Sequence, residues 1–118
     1  MTIPLPGSAV RGSKTGKPIM ALFDLLGRTW ALGVLWHLSH QTATYSELQK
    51  YCENISPTLL STRLKELSAA MLIEKTLSGY RLTDLGQELF RLISPMGEWS
   101  LTWQKSLIKQ GIIDDTSK

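Results

Sequence analysis

The sequence predicts a mainly α-helical domain that carries one small β-hairpin. Apolar residues recur at helical spacing along most of the chain. A short polar turn separates two such patterns between residues 45 and 70, and a short hairpin pattern follows the second directly. Helix, turn, helix and hairpin in one run are the sequence form of a winged helix-turn-helix, here with extra helices at both ends.

Length and composition limit the classes of protein that fit. The chain has 118 residues, enough for one domain with tails, and its 42 % of hydrophobic residues is too high for a disordered chain. The formal net charge of +3 fits an anionic partner such as DNA without requiring one. Cys52 is the single cysteine, which excludes an internal disulfide framework. No signal peptide or membrane span is expected, and we interpret the chain as cytoplasmic.

The folded domain is expected to span residues 18–110. Residues 1–17 are rich in Gly, Pro, Ser and Thr and carry basic but no acidic residues. They predict a flexible basic arm, which either has no role or follows the DNA backbone. Residues 111–118 are expected to form a C-terminal tail.

Two helices are predicted before the turn. Pro18 suits the first turn of a helix that ends at Gly27. Thr29 is expected to cap a second helix over residues 30–40. Ile19, Leu22, Phe23 and Leu26 fall at helical spacing in the first helix. The buried side of the second helix is predicted to hold Trp30, Val34, Leu35 and Leu38.

The third helix, the turn and the hairpin are predicted next. The helix covers residues 45–52 with Ser46 as its cap, and residues 53–55 form the turn, from which Ile55 enters the core. Residues 72–76 and 80–82 are expected to pair as a hairpin, in which Gly79 supplies a positive φ. Thr83 and Asp84 then cap a long helix that Pro95 interrupts, and the apolar pattern resumes through Met96, Trp99, Trp103 and Leu107.

The fourth helix, predicted over residues 56–70, carries most of the functional signal. Ser56 is its expected cap and Pro57 its first helical residue. Its buried stripe is predicted to be Leu60, Leu64, Leu67 and Met71. Its outer face consists of small hydroxyl side chains and one amine, on Thr58, Ser61, Thr62 and Lys65. Such side chains suit close approach to base edges and phosphates, although an ordinary amphipathic helix with a solvated face is the alternative for this segment alone.

Two further charged residues are placed by helical spacing: Arg63 at the boundary of the buried stripe and Glu66 close to the outer face. Arg63 could contact a phosphate, or it could pair with Glu66 or Glu47. Glu66 could accept from a cytosine amine or form a solvated ion pair.

The chain resembles HxlR-type regulators from about residue 18 to residue 103. The resemblance rests on LLGRTW at 25–30, LWHL at 35–38, ISPTLLSTRLKEL at 55–67, MLIEK at 71–75 and YRLTDLG at 80–86. HxlR-type proteins are prokaryotic transcription regulators related to the MarR group, and they form homodimers through their first and last helices. The resemblance implies these pairing roles here for residues 19–26 and 96–107.

The sequence departs from the family pattern at two places. Several members sense oxidants or electrophiles with a cysteine just before the proline of the first helix, and Lys17 stands at that position here. Cys52 lies elsewhere, either as a small buried thiol or as a reactive thiol near the recognition helix. The family's wing is also usually longer, so sequence specificity is expected to come mostly from the helix.

The predicted function is sequence-specific binding of double-stranded DNA by a homodimeric transcription regulator. Base contacts are expected from Thr58, Ser61 and Thr62. Phosphate contacts are expected from Ser56, Arg63, Lys65, Lys50, Lys75 and Arg81. The dimer interface is expected to include Leu22, Phe23, Leu26, Trp30, Met96, Trp99, Trp103 and Leu107, and a small-molecule effector could bind between the same helices.

Other functional classes find little support in the sequence. His37 and His40 lie three positions apart, but further metal ligands are not close in sequence, so structural roles are expected for both. No catalytic constellation appears, and no enzyme activity, cofactor or metal is expected. The rival hypothesis is a winged-helix protein-interaction module without specific DNA binding, which the short wing and modest charge allow.

Overall fold

The winged helix-turn-helix is present in the structure, a computed structural model that describes residues 3–115. Six helices and one antiparallel hairpin follow one another along this part of the chain. They are α1 (Pro18–Leu26), α2 (Ala31–Leu38), α3 (Tyr45–Tyr51), α4 (Pro57–Ala69), β1 (Ile73–Thr76), β2 (Gly79–Leu82), α5 (Asp84–Ile93) and α6 (Pro95–Lys109). The predicted fold class, mainly α with a small hairpin, is confirmed.

Two predicted helix caps are wrong. Thr44 rather than Ser46 caps α3: its hydroxyl accepts from the Glu47 backbone N–H at 3.2 Å, and the Glu47 carboxylate accepts from the Thr44 N–H at 2.8 Å. This reciprocal pair satisfies two backbone donors at once, which Ser46 cannot do from inside the helix. The N-cap of α2 is Trp30, with a left-handed φ of 66°, and not Thr29, because the helix begins at Ala31, one residue later than predicted.

The turn between α3 and α4 matches its prediction. Glu53 and Asn54 both adopt left-handed conformations, with φ of 57° and 60°. These reverse the chain so that the next side chain, Ile55, enters the core. The Gln49 side-chain amide donates to the Ile55 carbonyl at 3.0 Å and closes the turn.

The C-terminal end of α4 corrects the predicted buried stripe. Leu60, Leu64 and Leu67 are buried as expected, but Met71 is 67 % exposed. Met71 has a φ of 66°, and the Leu72 N–H donates to the Leu67 carbonyl at 3.0 Å. This left-handed termination rotates Met71 away from the helix face, and Leu72 fills the core instead.

The hairpin, which we call the wing (residues 73–82), joins a third segment of chain. Its register pairs Ile73 with Leu82 and Thr76 with Gly79. Ala43 forms an isolated antiparallel bridge to Tyr80, with hydrogen bonds of 3.0 and 2.7 Å. Gly79 has the predicted positive φ, 132°, and a Cβ there would stand only 2.5 Å from the Ala43 carbonyl oxygen.

The described part of the predicted N-terminal arm, residues 3–17, folds back on the domain. The Gly7 N–H donates to the Gly16 carbonyl at 2.8 Å and closes a loop. The Arg11 N–H donates to the Asp24 carboxylate of α1 at 3.0 Å, so the arm is attached to the domain by a buried acid. Met1 and Thr2 lie outside the described residues, and the domain limits at 17 and 110 stay predictions.

One core joins helices α1 to α5 and the wing. The largest fully buried side chains are Leu35, Leu48, Leu60, Leu67, Val34 and Cys52. By contrast, none of the residues of α6, all of which the structure describes, is buried. Within residues 3–115 no single helix is long and apolar enough to span a membrane, and only α1 and α2 taken together, bent by 86°, reach that length and composition.

Candidate nucleic-acid interface

The outer face of α4 presents the predicted polar side chains. Thr58, Thr62 and Lys65 are exposed, whereas Leu60, Leu64 and Leu67 on the opposite side hold the helix in the core. The helix therefore displays two hydroxyl groups and one amine from a fixed position. Short hydroxyl side chains let a helix approach base edges closely, and an amine can neutralise a phosphate.

The first turn of α4 is capped as predicted. The Ser56 hydroxyl accepts from the Leu59 N–H at 3.2 Å, and Pro57 begins the helix. Ser56 is exposed, so its hydroxyl hydrogen can still be donated to a phosphate oxygen. The turn therefore starts at a defined place and leaves a donor at the surface.

Ser61 lies differently from the other two hydroxyl residues of the predicted base-reading set. It is half-buried, and its oxygen lies 3.4 Å from the hydroxyl oxygen of Tyr45. Tyr45 also donates a hydrogen bond to the Pro57 carbonyl at 2.9 Å. From the sequence, Tyr45 was predicted only as the first residue of a helix. An aromatic residue with a polar tip directly after a capping threonine was the signal that could have identified it.

A groove lies between α4 and the wing, and we call it the α4–wing groove. Its volume is about 330 Å³. It is lined by Tyr45, Ser61, Leu64, Lys65, Ser68, Lys75 and Tyr80. The groove brings two predicted phosphate-contacting lysines, Lys65 from α4 and Lys75 from β1, into the lining of one cavity with hydroxyl-bearing side chains.

The basic residues around this groove differ in their availability. Lys75 is exposed, and its Nζ lies 5.8 Å from the centroid of the Tyr80 ring, a weak cation–π contact. Lys50 is exposed at the end of α3. Arg81 is paired with Glu74 across the wing at 2.7 Å, although its side chain is 57 % exposed. A phosphate would have to compete with Glu74 for that guanidinium.

The structure contradicts the predicted phosphate contact of Arg63. Arg63 is 8 % exposed, and its Nε donates to the Thr29 carbonyl at 2.6 Å. Its terminal nitrogen donates to the Glu66 carboxylate at 2.5 Å. Moving this buried guanidinium to a phosphate would separate it from the Glu66 carboxylate and leave that charge without one of its partners. Arg63 therefore stabilises the inner side of α4 and is not a DNA ligand. Of the alternatives left open by the sequence, pairing with Glu66 is correct.

Glu66 is likewise withdrawn from the surface. It is 5 % exposed and is paired with both Arg28 and Arg63, so neither base readout nor a solvated pair describes it. The Arg28 Nε also lies 3.6 Å from the Asp24 Oδ1. The Nε of Arg11, in the N-terminal loop, lies 3.8 Å from the same carboxylate oxygen. We call these five residues the arginine–carboxylate network. It ties the inner side of α4 to α1 and to the N-terminal loop.

Cys52 was predicted to be either a small buried thiol or a reactive thiol near the recognition helix, and the structure shows the buried thiol. It is 1 % exposed, and burial, reinforced by the nearby Glu53 charge, raises the pKa of its thiol. A raised pKa lowers the fraction of thiolate, which is the reactive form. Burial also raises the pKa of the neighbouring Tyr51 phenol.

The two histidines take structural positions. The His37 ring packs on Tyr51 with 4.3 Å between centroids, and the His40 Nδ1 lies 2.9 Å from the Trp36 carbonyl oxygen. Among residues 3–115, no group of three or more His, Cys, Asp or Glu side chains could hold a metal ion.

The predicted dimer residues divide into two sets. Phe23, Met96, Trp99 and Trp103 are exposed, Leu22 and Leu107 are half-buried, and the indoles of Trp99 and Trp103 are nearly parallel, with centroids 6.5 Å apart. Trp30 belongs to the other set, because it packs against the core and meets Tyr51 edge-on at 6.4 Å. Leu26 also packs against the core.

Comparison with known proteins identifies the family. A model described as HxlR-like helix-turn-helix matches residues 25–107. An uncharacterized HTH-type transcriptional regulator of Methanocaldococcus jannaschii is 28 % identical over 98 residues, covering 80 % of this chain and 92 % of that protein. The uncharacterized HTH-type transcriptional regulator YvaP of Bacillus subtilis is 26 % identical over 87 residues, covering 68 % and 81 % of the two chains.

A solved structure shares the fold as well. Quinone-bound YodB from B. subtilis superposes with a TM-score of 0.65 at 27 % identity, over 71 % of this chain and 96 % of that one. The relatives are transcription regulators and not enzymes. Since the family model covers the chain from the end of α1 almost to the end of α6, this protein belongs to the HxlR-like helix-turn-helix family of transcription regulators.

Proposed function

We propose that this regulator acts as a homodimer that binds a pseudo-palindromic DNA site, with α4 of each protomer in the major groove. The observation that carries the proposal is the outer face of α4. It combines exposed Thr58 and Thr62 with Lys65, while the opposite side is anchored in the core. A rigid helix with small polar side chains is the kind of element that reads base edges.

The surroundings of α4 supply charge for the DNA backbone. Lys65 and Lys75 line the α4–wing groove, and Lys50 is exposed on α3. We assign phosphate contacts to these lysines and to the Ser56 hydroxyl, with a weaker contribution from Arg81 because Glu74 already pairs with it. Thr58, Ser61 and Thr62 are assigned to base edges.

The exposed apolar side chains of α6 support the homodimer. Trp99 is 62 % exposed and Trp103 is 54 % exposed, on a helix without a buried residue among those described. An exposed apolar patch of this kind marks an association surface. Phe23 of α1 is exposed too, so a second copy could cover both terminal helices together. Two dyad-related α4 helices would then lie about 34–36 Å apart, in successive major grooves.

We propose that the regulatory signal is a small molecule. The neighbour YodB is described as quinone-bound. The buried Cys52, with its raised thiol pKa, and Lys17 at the position of the family's sensor thiol argue for an effector that binds without thiol chemistry.

Selection of DNA from a random pool, followed by binding titrations at several salt concentrations, tests the proposal. We expect an enriched pseudo-palindromic site, bound at least about 10³-fold more tightly than random duplex at physiological salt. Affinity should fall steeply with salt because phosphate contacts release counterions. The rival, a protein-interaction module, predicts neither enrichment nor retention on random duplex at low salt. Sedimentation velocity of the purified chain tests the dimer separately.

A further inference from the structure

We infer that Tyr45 is a positioning residue that fixes the first turn of α4 relative to the wing and thereby sets what Ser61 reads on a base. The inference rests on the proposed DNA-binding function. Tyr45 is the first residue of α3, and its side chain reaches the first turn of α4. Because both ends of this connection are held, the tyrosine hydroxyl can act as a spacer between helix and wing.

The wing side of the connection is anchored by the backbone. Ala43, two positions before Tyr45, exchanges hydrogen bonds of 3.0 and 2.7 Å with Tyr80 of β2. Gly79 packs against the Ala43 carbonyl so closely that a Cβ would stand 2.5 Å away. Thr44 then caps α3. Hence the position of Tyr45 follows the position of the wing.

The helix side is held by the tyrosine hydroxyl. It donates to the Pro57 carbonyl at 2.9 Å, in the first turn of α4. Its one hydrogen is then used, so the long 3.4 Å contact to Ser61 has the serine hydroxyl as donor. Ser61 consequently offers lone pairs to the α4–wing groove. An acceptor at this place selects a base with an exposed amine in the major groove, which is cytosine N4 or adenine N6.

The location of Tyr45 makes this connection relevant to DNA. Tyr45 and Ser61 line the α4–wing groove together with Lys65 and Lys75. The two lysines suit a phosphodiester strand that runs between helix and wing. A shift of α4 relative to the wing would therefore change which base faces Ser61 while the phosphates stay bound.

Tyr45→Phe, which removes only the hydroxyl, tests the inference. Tyr51→Phe is the matched control: it removes a hydroxyl from the same helix outside the α4–wing groove, and within residues 3–115 the structure shows no hydrogen bond to that hydroxyl. We expect Tyr45→Phe to weaken binding to the selected site about fivefold, because Ser61 is no longer held in place for its base contact. Affinity for random duplex and the salt dependence should match the wild type, whereas the thermal midpoint should fall by about 4 °C because one internal hydrogen bond is lost. Tyr51→Phe should match the wild type throughout.

A repeat selection from a random pool and a double-mutant cycle give two further measurements. Tyr45→Phe and Ser61→Ala should relax the preference at the same base position, and their effects on affinity should be less than additive. If Tyr45→Phe folds poorly, Ser61→Ala still tests the inference, because this variant alone must relax the preference for an amine-bearing base.

Each outcome separates the inference from the proposed function. If the wild type selects no site, the proposed function fails and this inference fails with it. If the wild type selects a site and Tyr45→Phe keeps the same preference and affinity, only the role of Tyr45 is overturned. Equal weakening on selected and random DNA would instead identify a direct phosphate contact, which also overturns a positioning role.

Discussion

Helices α4 and α6 differ in how the monomer uses them. Of the thirteen residues of α4, five are buried, including the charged Arg63 and Glu66. Of the fifteen described residues of α6, none is buried, although the helix carries two tryptophans. One helix is fixed on its inner side and polar on its outer side, while the other leaves large apolar side chains in solvent.

The difference indicates the class of partner for each helix. A polar face with hydroxyl groups and an amine loses little by facing water and suits a hydrated polyanion. Exposed indole rings suit another apolar protein surface. The two surfaces are therefore expected to respond to opposite substitutions.

Introducing charge into the tryptophan pair of α6 should abolish dimerisation. Trp99→Glu with Trp103→Glu places acids where apolar contact is proposed, and we expect a penalty of about 4 kcal/mol, or about a thousandfold in the dimer Kd. The monomer should stay folded because both side chains are exposed. Sedimentation velocity with circular dichroism measures both effects. Thr102→Glu, on the same helix beside the pair, is the control, and a double variant that remained dimeric would remove α6 from the interface.

Neutralising Glu66 should destabilise the protein through the inner side of α4. Glu66→Gln leaves Arg63 without a charged partner and Arg28 with Asp24 alone, at an expected cost of about 3 kcal/mol in the free energy of unfolding. Urea denaturation measures this cost. Glu74→Gln, which breaks the exposed pair with Arg81, should cost less than about 1 kcal/mol. Equal losses for the two variants would mean that the arginine–carboxylate network does not stabilise α4.

The outer face of α4 and the wing should contribute differently to DNA binding. Thr62→Ala is expected to change the base preference at one position by about 1 kcal/mol. Lys75→Ala should weaken binding to all sequences alike and make the slope of log affinity against log salt shallower by about 0.9, the change expected for one phosphate fewer. Titrations on selected and random duplexes at several salt concentrations separate the two effects. Identical behaviour of both variants on every duplex would contradict this division of roles.

The smallest effect is expected at the cap of α3. The Thr44 backbone N–H, and then its hydroxyl, hold the pKa of the Glu47 carboxyl below its usual value. The stabilisation is therefore present above the unfolded pKa and is lost as the pH falls through the folded one. Glu47→Gln should reduce the urea midpoint slightly at neutral pH, and the difference from the wild type should disappear in acid. A difference that persisted below the folded pKa would show that the charge is not responsible.

Several features that depend on neighbouring residues in sequence were predicted well, although the caps of α2 and α3 were not. The cap at Ser56, the proline at the start of α4 and the glycine of the wing follow from local backbone chemistry. Burial of Leu60, Leu64 and Leu67 follows from helical periodicity. The predicted burial of Met71 was wrong because periodicity assumes that the helix continues, whereas Met71 adopts a left-handed conformation.

Arg63 and Glu66 of α4 could not be placed from local patterns. Glu66 pairs with Arg28, which lies 38 positions earlier in the chain, and Arg63 donates to the carbonyl of Thr29, 34 positions earlier. Helical spacing placed Arg63 at the boundary of the buried stripe and Glu66 close to the outer face. Only the packing of the α1–α2 turn against α4 shows that both side chains are covered.

By itself, the sequence determined the order of helices and hairpin, the polar outer face of α4 and the apolar character of α6, because these follow from periodicity and backbone preferences. The tertiary structure alone decided which polar groups remain at the surface. It withdrew Arg63 and Glu66 into the arginine–carboxylate network and brought Tyr45 to the first turn of α4. The physical reason is that burial and hydrogen bonding depend on the element that packs from elsewhere in the chain, and a local pattern contains no record of that element.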